Sequence, residues 1–192
     1  MSIEPTRDLP ASPASRRPAA VLILVRHLGP AGEPHLVFMR RSEKVHTHKG
    51  QISFPGGGFK PEDGTLEVTA LRETFEEVGI PPEKVRVLGP LPAVDTVVSN
   101  FLITPFVGVP VDPIAPIEYV SDGFEVAEIL EIPLRLLLDP ANHRYEEWVM
   151  QGRTRQVVFY NFQQVVIWGA TAFILTNFMK EINEGKWAML FE

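Results

Sequence analysis

The sequence predicts a single domain of the α/β class in which strands outnumber helices, and three observations lead there. A chain of 192 residues and 21.5 kDa is one domain's worth of protein, and 45% hydrophobic residues suffice for one sizeable core. Eighteen of the 192 residues are proline, roughly twice the usual share of about 5%, which multiplies loops and argues against a helical bundle. Short apolar or alternating runs bounded by turn residues recur along the chain, whereas only two long segments combine helical periodicity with marked ends.

Residues 1–18 alternate Pro, Ser, Ala and charge without periodic apolar positions, so a disordered N-terminal arm is expected there and the folded domain over residues 19–192. Residues 19–25 are an unbroken apolar run suited to a strand buried on both faces, 29–34 a turn and 36–39 the neighbouring strand. A brief strand at 51–54 leads into a loop, Pro55-Gly56-Gly57-Gly58, whose glycines permit backbone conformations closed to other residues. The clearest helix is 65–78, opened by Glu62, Asp63 and Gly64 and closed by Gly79 with Pro81 and Pro82 beyond it. Strand-like stretches follow at 85–88, 93–98, 102–109, 126–132, 145–150 and 156–159, with a short helix at 133–138. A second long helix spans 168–182, where Ala172, Leu175, Phe178, Met179 and Ile182 recur at helical spacing before Gly185. Trp168, Phe173 and Phe178 read as core rather than as a platform for stacking a base.

Eighteen Lys and Arg against 24 Asp and Glu give a formal charge of -6, which opposes tight binding to nucleic acid or an anionic membrane, so a phosphorylated partner must be met locally. The absence of cysteine rules out disulfides, Cys-ligated zinc, iron-sulfur clusters and thiol nucleophiles. No run reaches the roughly 18 to 20 apolar residues that span a bilayer, and the first residues do not read as a secretory signal. The expected location is cytoplasmic.

At about 100° per residue, Glu73, Glu76 and Glu77 share a narrow arc of the first helix, with Val68, Leu71, Phe75 and Val78 expected on the opposite, core side. Like charges at this spacing repel. A solvated acid face is one reading; a divalent cation held by oxygen ligands is the other. Arg72 can pair with Glu76 at i, i+4, which leaves Glu73 and Glu77 to face a metal and Glu76 open between ligand and salt bridge.

The segment from Gly57 to Ile80, G-G-F-K-P-E-D-G-T-L-E-V-T-A-L-R-E-T-F-E-E-V-G-I, resembles the Nudix box of nucleoside-diphosphate-X hydrolases. Arg72, Glu73, Glu76, Glu77, Gly79 and Ile80 match its second half without a gap. In its first half Asp63 stands at the early glutamate position, and eight residues rather than seven separate it from Arg72. The preceding stretch, L-V-F-M-R-R-S-E-K-V-H-T-H-K-G-Q-I-S-F-P-G-G, is similar to the signature of coenzyme A pyrophosphatases. Arg41, Ser42, Gly50, Phe54, Pro55, Gly56 and Gly57 match, and His46 replaces an arginine, so the fixed guanidinium fork is lost there.

The resemblance implies a Nudix α/β/α sandwich with a mixed central sheet and metal-dependent hydrolysis of the pyrophosphate bond in coenzyme A or acyl-CoA. Glu73 and Glu77, with a backbone carbonyl near Gly57, are implied ligands of Mg2+ or Mn2+. Glu76 and a glutamate outside the box are further catalytic candidates. Glu125 is preferred for the latter, with Glu128 and Glu131 as competitors. Arg40, Arg41, His46, His48, Lys49, Gly56 and Gly57 are the implied substrate contacts, with Lys60 another local cation. The partner is a small nucleoside diphosphate derivative, with neither nucleic acid nor membrane expected and a homodimer allowed. Hydrolysis of other substrates such as ADP-ribose, or a non-catalytic binding module on the same fold, are the alternatives.

Overall fold

A computed structural model describes residues 16–44, 49–96, 99–121, 123–150 and 152–191. The first strand, β1 (Arg17–Leu28), is buried along most of its length, as an apolar run inside a sheet requires. It pairs antiparallel with β2 (Glu33–Arg41) on one side and parallel with β7 (Phe101–Pro110) on the other. β2 also pairs with β3 (Ile52–Ser53) and β8 (Val126–Pro133), and β7 with β5 (Val85–Pro90) and β6 (Val94–Asp95). Parallel and antiparallel neighbours in one sheet make it the expected mixed sheet.

The glycine loop expected at 55–58 is instead partly a strand. β4 (Gly56–Gly58) pairs antiparallel with Ala19, Ala20 and Val21 of β1. The approach is so close that a Cβ on Gly56 would stand 2.3 Å from the Ala20 carbonyl oxygen, so the glycine is required by contact with the neighbouring backbone.

α1 (Leu66–Val78) lies on one face of this sheet. Thr65 caps it by accepting the Val68 N–H at 3.2 Å, and Gly79, at φ 76°, ends it by donating to the Phe75 carbonyl. Ala20, Leu22, Leu24, Val37 and Met39 meet Ala70, Val78 and Ile80 there. The opposite face, carrying Ile23, Val25, Leu36 and Phe38, is covered by α2 (Leu134–Leu138) and α3 (Gly169–Asn183). A second antiparallel sheet of β9 (His143–Met150), β10 (Arg153–Phe162) and β11 (Val165–Ile167) joins that layer. The result is the α/β/α sandwich, with a small sheet added to one outer layer. Among the described residues, no helix is long and apolar enough to cross a membrane.

Three further expectations change. Arg17 and Pro18 belong to β1 rather than to the arm, whose residues 1–15 lie outside the described ones. On α1, Val68 and Phe75 are 45% and 52% exposed, and the buried positions are Thr69, Ala70, Thr74, Glu77 and Val78. Small side chains fill the narrow space where α1 packs on β1 and β4, and the large ones project to its flanks. On α3, Phe178 is fully buried as expected, but Phe173 is 53% exposed, and Trp168 stacks on Phe159 instead of joining the main core.

Candidate active site

The site grows from the junction of β4 and α1. Arg72 is its structural hub. Its Nε donates to Asp63 at 2.7 Å, Nη2 to Asp63 and to the Gly58 carbonyl at 3.0 and 3.1 Å, and Nη1 to Glu73 and Glu76 at 2.7 and 3.0 Å. These five bonds use all five guanidinium donors. Asp63, whose side chain is 2% exposed, also accepts from Thr69 Oγ1 and the Lys60 N–H. The Arg72 hydrogen bonds hold its carboxyl far below the usual range in spite of burial, and Asp63 in turn pushes Arg72 upward. Despite the altered spacing, Asp63 therefore clamps the arginine of the motif, and Arg72 in turn fastens the glycine strand to the helix.

Glu77 is the buried acid of α1. Its Oε2 accepts the Gly56 N–H at 2.8 Å, and its side chain is only 7% exposed. Burial, with smaller contributions from Glu73 and Glu125, pushes its carboxyl up to about 8, while the Gly56 N–H and Arg41 oppose the rise. Glu73 lies beside it, its carboxylate carbon 2.5 Å from where a Cβ on Gly57 would sit. The first and second glycines of the Pro55 segment, Gly56 and Gly57, thus do different work: one admits a neighbouring strand, the other makes room for a carboxylate.

Four further acids are separated by their neighbours. Glu76 sits on the exposed flank, bonded to Arg72 and 3.8 Å from Lys60 Nζ. Glu125 has Oε2 3.8 Å from Arg41 Nη2, and its carbonyl accepts the Ser42 N–H at 2.8 Å. Glu128 pairs with Arg40 at 2.9 Å, and Glu131 with Arg26 and Tyr119. Of the three glutamates around β8, Glu125 alone is brought towards Glu77.

Strand alternation explains why the two adjacent arginines part. Arg41 leaves β2 at a register shift, on the face that carries Val37 and Met39, and its Nη1 lies 3.8 Å from Glu77 Oε1. Arg40 projects from the other face to Glu128 and does not join the cluster. Lys49 is exposed in a turn closed by Gly50, whose N–H donates to the Arg41 carbonyl. His46 and His48 lie outside the described residues. Sequence reasoning places Glu73, Glu77 and Arg41 in the site and pairs Arg72 with Glu76, as the structure does, but misses that Arg72 also contacts Glu73, which the i, i+1 spacing does not advertise.

Among the described residues, no three His, Asp or Glu side chains converge closely enough to enclose a metal by themselves. The donors available beside one another there, the Glu73 and Glu77 carboxylates, are oxygens. Burial penalises a negative charge on Glu77, so its ionised form favours a cation opposite it. That chemistry fits a hard divalent ion which uses one or two carboxylates and keeps places for water and phosphate oxygens.

A family model described as NUDIX domain matches residues 15–151. The chain is 38% identical over 152 residues to a protein from Photorhabdus laumondii named "Uncharacterized Nudix hydrolase NudL", covering 79% of each. It is also 38% identical over 171 residues to the protein of that name from Citrobacter koseri, covering 88% of this chain and 84% of the other. The crystal structure of a MutT/nudix family protein from Enterococcus faecalis matches with a TM-score of 0.55 at 13% identity, covering 92% of this chain and 66% of that one. A NUDIX hydrolase from Alicyclobacillus acidocaldarius matches with a TM-score of 0.52 at 18% identity, covering 84% and 90%. These two structures agree in fold, and the sequence matches establish kinship: the chain belongs to the Nudix family.

Proposed function

We propose that this chain hydrolyses the pyrophosphate bond of coenzyme A or an acyl-CoA, releasing 3′,5′-ADP and 4′-phosphopantetheine or its acylated form. The observation that carries this reading is the placement of Arg41 against Glu77. In the segment that resembles the coenzyme A pyrophosphatase signature, Gly50 donates to the Arg41 carbonyl and Ser42 to the Glu125 carbonyl, which holds Arg41 beside the carboxylates. A diphosphate meets acidic and basic groups together at such a place.

Glu73 and Glu77, with the Gly57 carbonyl, would hold Mg2+ or Mn2+, whose chemistry is to neutralise phosphate oxygens and lower the pKa of water. Arg41 orients a phosphate through its guanidinium fork. His46, His48, Lys49 and Gly56 remain candidates for substrate contacts, whereas Arg40 is turned to Glu128 on the other face of β2. Glu125 is the preferred base, with Glu76 as the other candidate within the box. In the reaction a water oxygen bonds to one phosphorus, the P–O bond to the bridging oxygen breaks, and that oxygen leaves with the electron pair. The water proton passes to a carboxylate and then to solvent.

Incubation with coenzyme A and magnesium, followed by mass analysis, is expected to yield the two named products. Rapid turnover of ADP-ribose with coenzyme A untouched would assign a different nucleoside diphosphate substrate. No turnover of any diphosphate with either metal would make the chain a binding module.

A further inference from the structure

The two arginines next to the carboxylates are held in opposite ways. Arg72 is locked by five hydrogen bonds. Arg41 lies between Glu77 and Glu125 at 3.8 Å from each, beyond hydrogen-bond length, and its Nε is buried without a hydrogen-bond partner. Its backbone is fixed, since its N–H donates to Gln51 and its carbonyl accepts from Gly50. Charge rather than hydrogen bonding draws this guanidinium to the two acids, and its side chain can move without breaking a hydrogen bond to either.

We propose that Arg41 is a displaceable internal counter-ion, which neutralises the carboxylate cluster in the metal-free protein and yields to an arriving divalent cation, so that its fork turns to the substrate's phosphate oxygens. This inference rests on the metal-dependent reading above. A divalent ion at Glu73 and Glu77 repels the nearby guanidinium. Metal binding and the outward position of Arg41 therefore favour each other, and the coupling is reciprocal. The buried Nε, without a partner in the inward position, gains one when it meets an anion. The β2 irregularity between Arg40 and Arg41 aims the side chain into the cluster while leaving the strand anchored.

The test is Mn2+ binding to the full chain without substrate, read from the paramagnetic resonance of free Mn2+. R41Q removes the competing charge and is expected to bind Mn2+ more tightly than wild type, on the order of tenfold. R41K keeps a cation and is expected to stay near wild type. Equal or weaker binding by R41Q overturns the inference. Should R41Q not fold, the wild-type chain suffices: the Arg41 Nε–H resonance, assigned by its loss in R41K, is expected to shift on magnesium titration. A resonance that stays put at saturation overturns the inference equally. Wild-type protein that binds no Mn2+ sinks the metal-dependent reading as well, whereas normal wild-type binding with no gain in R41Q sinks this inference alone.

Discussion

Glu77 accepts the backbone N–H of Gly56 at 2.8 Å, so the last full turn of α1 is tied to the short strand inserted against β1. The bond fixes where the buried carboxylate points. It also separates position from charge, because a glutamine amide oxygen can accept the same N–H.

Glu77→Gln is therefore expected to fold normally and to lose turnover by on the order of 10³-fold, the scale of removing a group that acts on the reacting centre. Circular dichroism checks the fold and product formation from coenzyme A checks the chemistry. A loss of less than about tenfold would remove Glu77 from the proposed mechanism.

The charge itself sets a pH dependence. Glu77 titrates near 8 in the folded chain against an ordinary value of 4.5. Its folded-state pKa is raised, so its contribution to stability is full below 4.5 and is lost as pH rises through about 8. Without metal, wild type is expected to lose stability over that window relative to Glu77→Gln, as measured by denaturant titration at several pH values. Divalent metal competes with the proton, so Mn2+ affinity should rise with pH and level off above about 8. A flat affinity over this range would contradict the burial of an ionisable ligand.

Asp63 carries the opposite sign. Its depressed pKa means that its contribution is present above the unfolded value of 3.8 and disappears as pH falls towards the folded one. Asp63→Asn should lower the melting temperature at neutral pH by roughly 5 to 10 °C, because Arg72 loses a buried ionic partner. The gap to wild type should narrow as the solution is acidified. An equal gap at neutral pH and in acid would mean that packing, rather than charge, is what Asp63 supplies.

Asp63 also illustrates how much of the site was legible in the sequence. The run from Arg72 to Gly79 announced a capped helix bearing Glu73 and Glu77, because caps and spacing are local properties. The acid at position 63 was identifiable but its purpose was not, since an eight-residue separation says nothing about which side chains meet in space. Burial was misjudged for the same reason. A helical wheel puts Val68 and Phe75 inside and Glu77 outside, but the sheet approaches α1 closely enough to favour Thr69, Ala70 and Thr74, and Gly56 supplies a donor that lets Glu77 enter. Of the three-stranded sheet, the sequence indicates β9 and β10 only as separate strands and β11 not at all, since apolar character does not reveal pairing and a three-residue strand is too short to show a period.

The adjacent glycines Gly56 and Gly57 give a final, internally controlled prediction. A methyl group on Gly56 would stand 2.3 Å from the Ala20 carbonyl oxygen and 2.6 Å from the Val21 Cα, both in the buried strand β1. Backbone inside a sheet cannot yield cheaply, so Gly56→Ala should lower the melting temperature by roughly 10 °C or prevent folding. For a methyl group on Gly57 the three nearest atoms all belong to the Glu73 carboxylate, at 2.5 to 2.7 Å. A side-chain terminus can rotate away. Gly57→Ala should therefore keep most of the stability but weaken Mn2+ binding and turnover together, by about 10- to 100-fold, by displacing the carboxylate proposed to hold the metal. Thermal melts and Mn2+ titrations of the two variants check the contrast. If both variants lost stability equally while Gly57→Ala bound metal normally, the glycine at 57 would be serving the strand and Glu73 would not be a ligand.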